Sequence, residues 1–180
     1  ALAKKQPGGL TYGSSGTGGT VHLAAEMLRQ RTNINVLHVP YKGAAPALND
    51  LMAGHVTMAF MTSVSHIPHL KSGNPRPNAV ASSQRLPQLP DVPTMAEAGL
   101  AGFEVDSWTG LSAPAGTPPD IIKRLQDETI KAVKDPVVRE KLIAQGAVPA
   151  GTTSEEFSAH IAKEVSHWSS FLKTANISMD

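Results

Sequence analysis

The chain contains no cysteine, which excludes a disulfide framework and any zinc site built on thiolates. Aromatic side chains make up only 4% of it, yet 41% of its residues are hydrophobic, enough to form a core without many large rings. Charge of one sign is lacking too. A formal net charge of +1 gives neither the basic footprint of a nucleic-acid binder nor a polybasic membrane patch. No apolar run approaches the roughly 18 residues that a membrane-spanning helix requires. Residues 1–7 also lack the apolar segment of a secretory leader, so the chain reads as a mature or truncated product. With 180 residues it can hold one large domain or parts of two. No internal repeat or low-complexity tract is present.

What is present is a glycine loop. Leu10-Thr11-Tyr12-Gly13-Ser14-Ser15-Gly16-Thr17-Gly18-Gly19-Thr20 reads as a strand end, a turn, and the opening of a helix at Val21. Backbone N–H groups are left unpaired at such a helix start, and the positive end of the helix dipole lies there, which makes an anion site. Gly13 to Thr20 matches G-x-x-x-x-G-K-[ST] except that Gly19 stands in the lysine position. A triphosphate would lose its main point charge, so a smaller anion such as a carboxylate fits better. The dinucleotide fingerprint fails as well, because Val21 follows Gly16-x-Gly18 where a third glycine belongs. Taken alone, the segment reads equally well as a flexible glycine-serine connector.

Strand-like and helix-like segments alternate beyond it. Residues 36–40 form a β-branched run, Tyr41-Lys42-Gly43-Ala44-Ala45 a loop, and Pro46 sits in the first turn of a helix that continues to Ala53 and stops at Gly54. Residues 55–61 predict a buried strand, Thr62-Ser63 its exit, 64–71 a helix ending at Ser72-Gly73, and 78–82 another strand. This rhythm argues for a parallel sheet with helices on its faces, with the loops at 13–20, 41–46 and 61–63 converging at the carboxyl ends of the strands. Prolines punctuate 86–94, Thr94 is placed to cap a short helix over 95–98 that Gly99 closes, and 103–111 alternates like a strand. Helices are predicted from Pro118 to about Lys134, from Pro136 to Gln145 with Gly146 as cap, and from Ser154 to about Ala175. Ser154 serves there as a simple N-cap, since Phe157 holds the position a capping box reserves for glutamate.

The order of these motifs resembles the carboxy-terminal part of the solute receptors of the tripartite tricarboxylate transporter family, known as the Bug proteins. The matching segments are Leu10-Thr11-Tyr12-Gly13-Ser14-Ser15-Gly16-Thr17-Gly18, His22-Leu23-Ala24-Ala25-Glu26, the run from His38 through Tyr41-Lys42-Gly43 to Leu51, Leu89-Pro90-Asp91-Val92-Pro93-Thr94-Met95-Ala96-Glu97-Ala98-Gly99, and Ala113-Pro114-Ala115-Gly116-Thr117-Pro118. The resemblance covers essentially the whole chain. It implies an α/β fold of the periplasmic-binding-protein type II kind. Residues 1–105 would be the second, ligand-binding domain of the receptor, and 106–180 a strand and helices returning to a first domain whose amino-terminal part is absent. It implies a periplasmic receptor whose precursor carries a signal peptide, which binds a small mono- or dicarboxylate, hands it to membrane permease subunits, and catalyses nothing. No cofactor, metal or nucleic acid is expected. A truncated chain would self-associate as a homodimer.

The ligand residues so implied are Tyr12, Gly13, Ser14, Ser15, Gly16, Thr17, Gly18, Gly19 and Thr20, with Tyr41, Lys42 and Gly43 as another wall and Thr62 beyond. The preferred donors are the loop amides and the hydroxyls of Ser14, Ser15 and Thr17. Two departures from the family stand out: Met61 occupies a position where relatives often carry aspartate, and Asn74-Pro75-Arg76-Pro77 interrupts the approach to the next strand. His22 and Glu26, and His66 and His69, have the spacing of metal pairs, but neither pair has an evident third ligand, which favours hydrogen-bonded histidines. Glu26 and Arg29 read as a helix-surface ion pair. Trp108 reads as packing where the chain crosses between domains, Trp168 and Phe171 as a core stripe, and Met27, Met52, Met58 and Met61 as core filler. A serine hydrolase is disfavoured because Gly13-Ser14-Ser15-Gly16 does not make G-x-S-x-G.

Overall fold

In the computed structural model, which describes residues 2–72 and 75–175, a short helix α1 (Leu2–Lys5) leads into strand β1 (Thr11–Ser14). Then follow helix α2 (Thr20–Thr32), strand β2 (Leu37–Pro40), helix α3 (Ala44–Ala53), strand β3 (Met58–Ala59) and the single turn α4 (Ser63–His66), which tightens into a 3₁₀ segment over Ile67–Ser72. The three strands are parallel in the order β2-β1-β3, with Tyr12 opposite His38 on one side and Met58 on the other. Each strand runs directly into a helix, so three strand ends and three helix starts share one edge of the sheet.

Local chemistry explains the stops and starts. Asn33 in the left-handed conformation closes α2. Gly54 does so for α3 at φ 78°, its amide donating to the carbonyls of Asp50 and Leu51. Pro46 occupies the third position of α3, where no intrahelical acceptor is lost. Tyr12, Ala25 and Val36 form the centre of the core, with Leu10, Ile34, Met58 and Phe60 packed around them. Met27 is buried as expected, but Met52 is 40% exposed, because it falls on the outer face of α3.

Several predicted strands shrink. The run over 55–61 pairs only at Met58–Ala59, and that over 78–82 is reduced to one bridge between Val80 and Thr94. Residues 95–98 make a turn rather than a helix. Thr94 and Glu97 exchange hydrogen bonds (2.8 and 3.1 Å), and Gly99 at φ 101° ends the turn at once. No strand forms over 103–111: Phe103 is fully buried and the Val105 amide donates to the Ala81 carbonyl at 2.8 Å, but the segment joins no sheet among the described residues. Gly73 and Asn74 lie outside the described residues.

The chain divides into two compact units, with the break between Ser107 and Trp108. The second holds α5 (Pro119–Lys134), α6 (Pro136–Ala144) and α7 (Ser154–Ala175). Asp135 caps α6 by accepting from the Val137 and Val138 amides. At the start of α7 the N-cap is Thr153, one residue ahead of the expected Ser154. Its hydroxyl accepts from the Glu156 amide (3.2 Å) while the Glu156 carboxylate accepts from the Thr153 amide (2.8 Å), a complete capping box. Trp108 lies edge-on to Phe157 and His160 of α7, and Gly110 packs so closely on the Phe157 ring that a Cβ would not fit. Trp168 and Phe171 stack edge to face at 5.7 Å.

Candidate functional site

Hydrogen bonds knit the loops that leave the three strands. The Tyr41 amide donates to the Ser14 carbonyl (3.0 Å), the Gly43 amide to the Ser15 carbonyl (3.2 Å), and the Phe60 amide to the Gly13 carbonyl (3.2 Å). Together the loops border a shallow concavity, open to solvent and lined by Ser15, Val21, Ala44, Ala47, Phe60, Met61, Thr62 and Ser65. All of it belongs to the first unit.

Three helices begin at this concavity, at Gly19, Gly43 and Thr62, and none of them carries a side-chain cap hydrogen bond. The first-turn amides of Thr20, Val21 and His22 in α2, and of Ala44 and Ala45 in α3, have no intrahelical acceptor by helix geometry. Gly18 (φ 80°) and Gly43 (φ 116°) adopt conformations that side chains with a Cβ resist, and these bring the loops into position. Neutral donors and two helix dipoles therefore face a wall of apolar side chains. Among the described residues, no cationic side chain lines the concavity.

Ser15 and Thr62 line the space, and Gly19 and Gly43 stand at the starts of α2 and α3. Thr20 is the first residue of α2, Thr17 is exposed on the loop, and Gly16, at φ 144°, lies beside the Tyr41 carbonyl. Gly13 is buried against the Tyr41 ring. Three expectations about donors are corrected. Tyr12 is fully buried, and its hydroxyl donates inward to Glu26 at 2.6 Å. Ser14 is fully buried as well; its hydroxyl donates to the Gly16 carbonyl at 3.0 Å and meets His38 Nε2 at 2.7 Å. The Gly18 amide is already engaged, donating to His22 Nδ1 at 3.0 Å. Neither Tyr41 nor Lys42 is among the lining side chains: the Tyr41 hydroxyl donates to Asp50 (2.6 Å), and Lys42 is exposed.

Beneath the loop lies a buried polar assembly. The rings of Tyr12, His38 and His22 stack in that order, with centroids 4.7 and 4.2 Å apart. Glu26 is 9% exposed and accepts from Tyr12 and from Arg29 (2.7 and 2.6 Å), so the expected surface ion pair is half-buried, with the carboxylate sequestered and Arg29 partly exposed. Burial raises the Glu26 pKa, but the hydrogen bonds from Arg29 and Tyr12 outweigh it and hold the carboxyl below its usual range. Burial and the adjoining carboxylate push the Tyr12 phenol far upward. Burial also holds both histidines below the ordinary imidazole value. The assembly is therefore one carboxylate, one guanidinium, two neutral imidazoles and one phenol.

Sequence reasoning missed Ser65, which enters the lining because α4 turns it back toward Thr62, their hydroxyls 2.9 Å apart. It also missed His38 behind the loop. Its alternation in β2 was a usable signal, since strand positions two apart share a face.

A family model described as the tripartite tricarboxylate transporter family receptor matches residues 1–177. A Pseudomonas sp. (strain P51) protein, described as a UPF0065 protein in the tcbD-tcbE intergenic region, is 42% identical over 167 residues, covering 92% of this chain and 50% of that protein. Among solved structures, one described as a periplasmic transporter superposes with a TM-score of 0.92 at 39% identity, over 99% of this chain and 60% of that one. An R. palustris protein solved with adipate does so with a TM-score of 0.90 at 36% identity, over 98% and 59%. The chain thus spans about half the length of that relative.

Proposed function

This chain belongs to the tripartite tricarboxylate transporter receptor family, whose members bind solutes and are not enzymes, and from that premise we propose that it takes a small organic carboxylate at the sheet edge. The observation that carries this reading is the convergence of uncapped helix starts on one concavity. A carboxylate there accepts from the first-turn amides of α2 and α3 and from the hydroxyls of Ser15, Thr62 and Ser65. Phe60, Met61, Val21, Ala44 and Ala47 offer a methylene chain an apolar wall. Recognition by neutral donors is weaker than by a buried ion pair, which suits a receptor that must release its cargo. Adipate, present in the similar R. palustris structure, is the first candidate of the right class.

In this reading the protein works in the periplasm and passes its ligand to permease subunits. Residues 1–105 form the ligand domain and 106–180 the returning elements of the partner domain; the break after Ser107 supports that division. Native mass spectrometry of the purified chain, with small molecules identified after denaturation, tests the proposal. A stoichiometric dicarboxylic or monocarboxylic acid is expected. An empty protein that also shows no heat of binding to adipate or other short carboxylates overturns it for this chain.

A further inference from the structure

In the reciprocal cap at the start of α7, and in the turn at Thr94, the residue three positions on is a glutamate that reaches back to a backbone amide. At the start of α2 that third position is His22. Side chains of a helix tilt toward its N-terminus, so the imidazole reaches back past Gly19 and accepts from the Gly18 amide through Nδ1 at 3.0 Å. A glutamate there would make the same hydrogen bond but would place a negative charge where an anion is to bind. A neutral imidazole supplies the acceptor without the charge.

The ring is fixed from all sides. It is 4% exposed, lies flat on His38 of β2 at 4.2 Å with Tyr12 of β1 stacked behind, and turns Nε2 toward Glu26 Oε1 of its own helix, 3.8 Å away, with Arg29 one turn beyond. Because Nδ1 accepts from Gly18, the proton of the neutral ring sits on Nε2, facing Glu26.

We propose that His22 is a positioning residue for ligand binding: its neutral Nδ1 holds the Gly18 amide and so sets the glycine loop, and protonation of Nδ1 releases the loop. A protonated Nδ1 presents a donor to a donor, and the Gly18 amide must turn away. Burial and the Arg29 charge favour the neutral ring, while Glu26 opposes them. The loop is therefore formed at neutral pH and loosens in acid. The consequence for affinity rests on the receptor reading above; the hydrogen bond and its titration do not.

The test is an NMR titration of the ¹⁵N-labelled 180-residue chain from about pH 8 to about pH 4.5, bracketing the ordinary imidazole value. It follows the Gly18 amide, its exchange protection, and the His22 ring nitrogens. Nδ1 is expected to show the shift of an acceptor nitrogen. The Gly18 amide should lose protection at the same midpoint as His22 gains its proton. In His22→Asn, whose Oδ1 replaces Nδ1 as acceptor, Gly18 should stay protected and cease to titrate; in His22→Leu it should be unprotected throughout. A Gly18 midpoint in the unaltered chain that departs from that of His22 overturns the proposal, as does a Gly18 titration that persists in His22→Asn through His38. With adipate as probe, His22→Leu should bind about tenfold more weakly and His22→Asn like the unaltered chain. If the unaltered chain ignores adipate at every pH, the receptor reading for that acid fails, while the Gly18 titration still decides the role of His22.

Discussion

Two residues carry the sharpest predictions. Gly18 holds φ 80° at the start of α2. Gly18→Asp would cost about 1–2 kcal/mol in backbone strain and set a carboxylate beside the helix start. Its adipate affinity should disappear in a calorimetric titration, and unchanged affinity would sink the site assignment. Tyr12 is the second. Removing its hydroxyl leaves the buried Glu26 with Arg29 alone, so Tyr12→Phe should lower stability by about 1–3 kcal/mol in urea unfolding, with the same ligand affinity once folded. Equal stability would mean that the phenol is replaceable by water. Tyr12 also marks a limit of reading one dimension. The Tyr12-Gly13-Ser14-Ser15 run marked a loop at the sheet edge, but strand alternation sends Tyr12 and Ser14 inward, toward partners 14 and 24 residues away, and no local pattern announces those partners.

At the scale of elements, the sequence was most legible where local chemistry decides. The three long helices of the second unit begin and end within a residue or two of expectation, because prolines, glycines and caps set their limits. Strands fared worse. The runs over 55–61 and 78–82 have β-type composition, but composition does not supply a partner: the first pairs with β1 only at Met58 and Ala59, and the second meets only Thr94, through Val80. The α7 cap was misplaced by one position because Ser154 and Thr153 are both competent; Glu156 decides for Thr153. Thr153→Ala should therefore cost about 1 kcal/mol, whereas Ser154→Ala, whose hydroxyl takes no part in the reciprocal pair, should cost little. Circular dichroism of thermal unfolding would separate the two, and an equal loss in both would place the cap at neither. The stack joining β1, β2 and α2 has its own pH dependence. His22 and His38 titrate below the ordinary imidazole value in the folded state, so the unfolded chain takes up protons first as pH falls. The stability these rings contribute is complete above about pH 6.5 and is lost as pH falls from there through their lower folded values. Glu26, held below its usual range, adds a further loss only at more acid pH. Urea midpoints measured against pH should fall in two steps, and a flat profile down to the carboxylate range would refute the assignment of neutral rings.

For the molecule as a whole, the asymmetry of burial matters most. Among the described residues, every hydrophobic side chain that is fully sequestered lies at or before Phe103. Helix α5 carries Ile121 and Leu125, each more than 40% exposed, and buries no residue completely. An apolar stripe of that kind favours association. Sedimentation velocity across a concentration series should show the 180-residue chain self-associating, and Leu125→Lys should return it to monomer; a monomer at all concentrations would show that the stripe is tolerated in water. Hydrogen exchange should likewise find slow amides in β1 and α2 and fast ones in α5 and α6. The division after Ser107 has one more consequence, an optical one. Both tyrosines of the chain, Tyr12 and Tyr41, precede the break, and both tryptophans, Trp108 and Trp168, follow it. Fluorescence excited at the red edge, where only indole absorbs, reports the helical unit alone, while the tyrosine bands, separated from the overlapping indole absorption by second-derivative spectroscopy, report the sheet unit. The chain thus carries a native chromophore for each half, and an unlabelled sample can reveal in one melt whether the two halves unfold together or in turn.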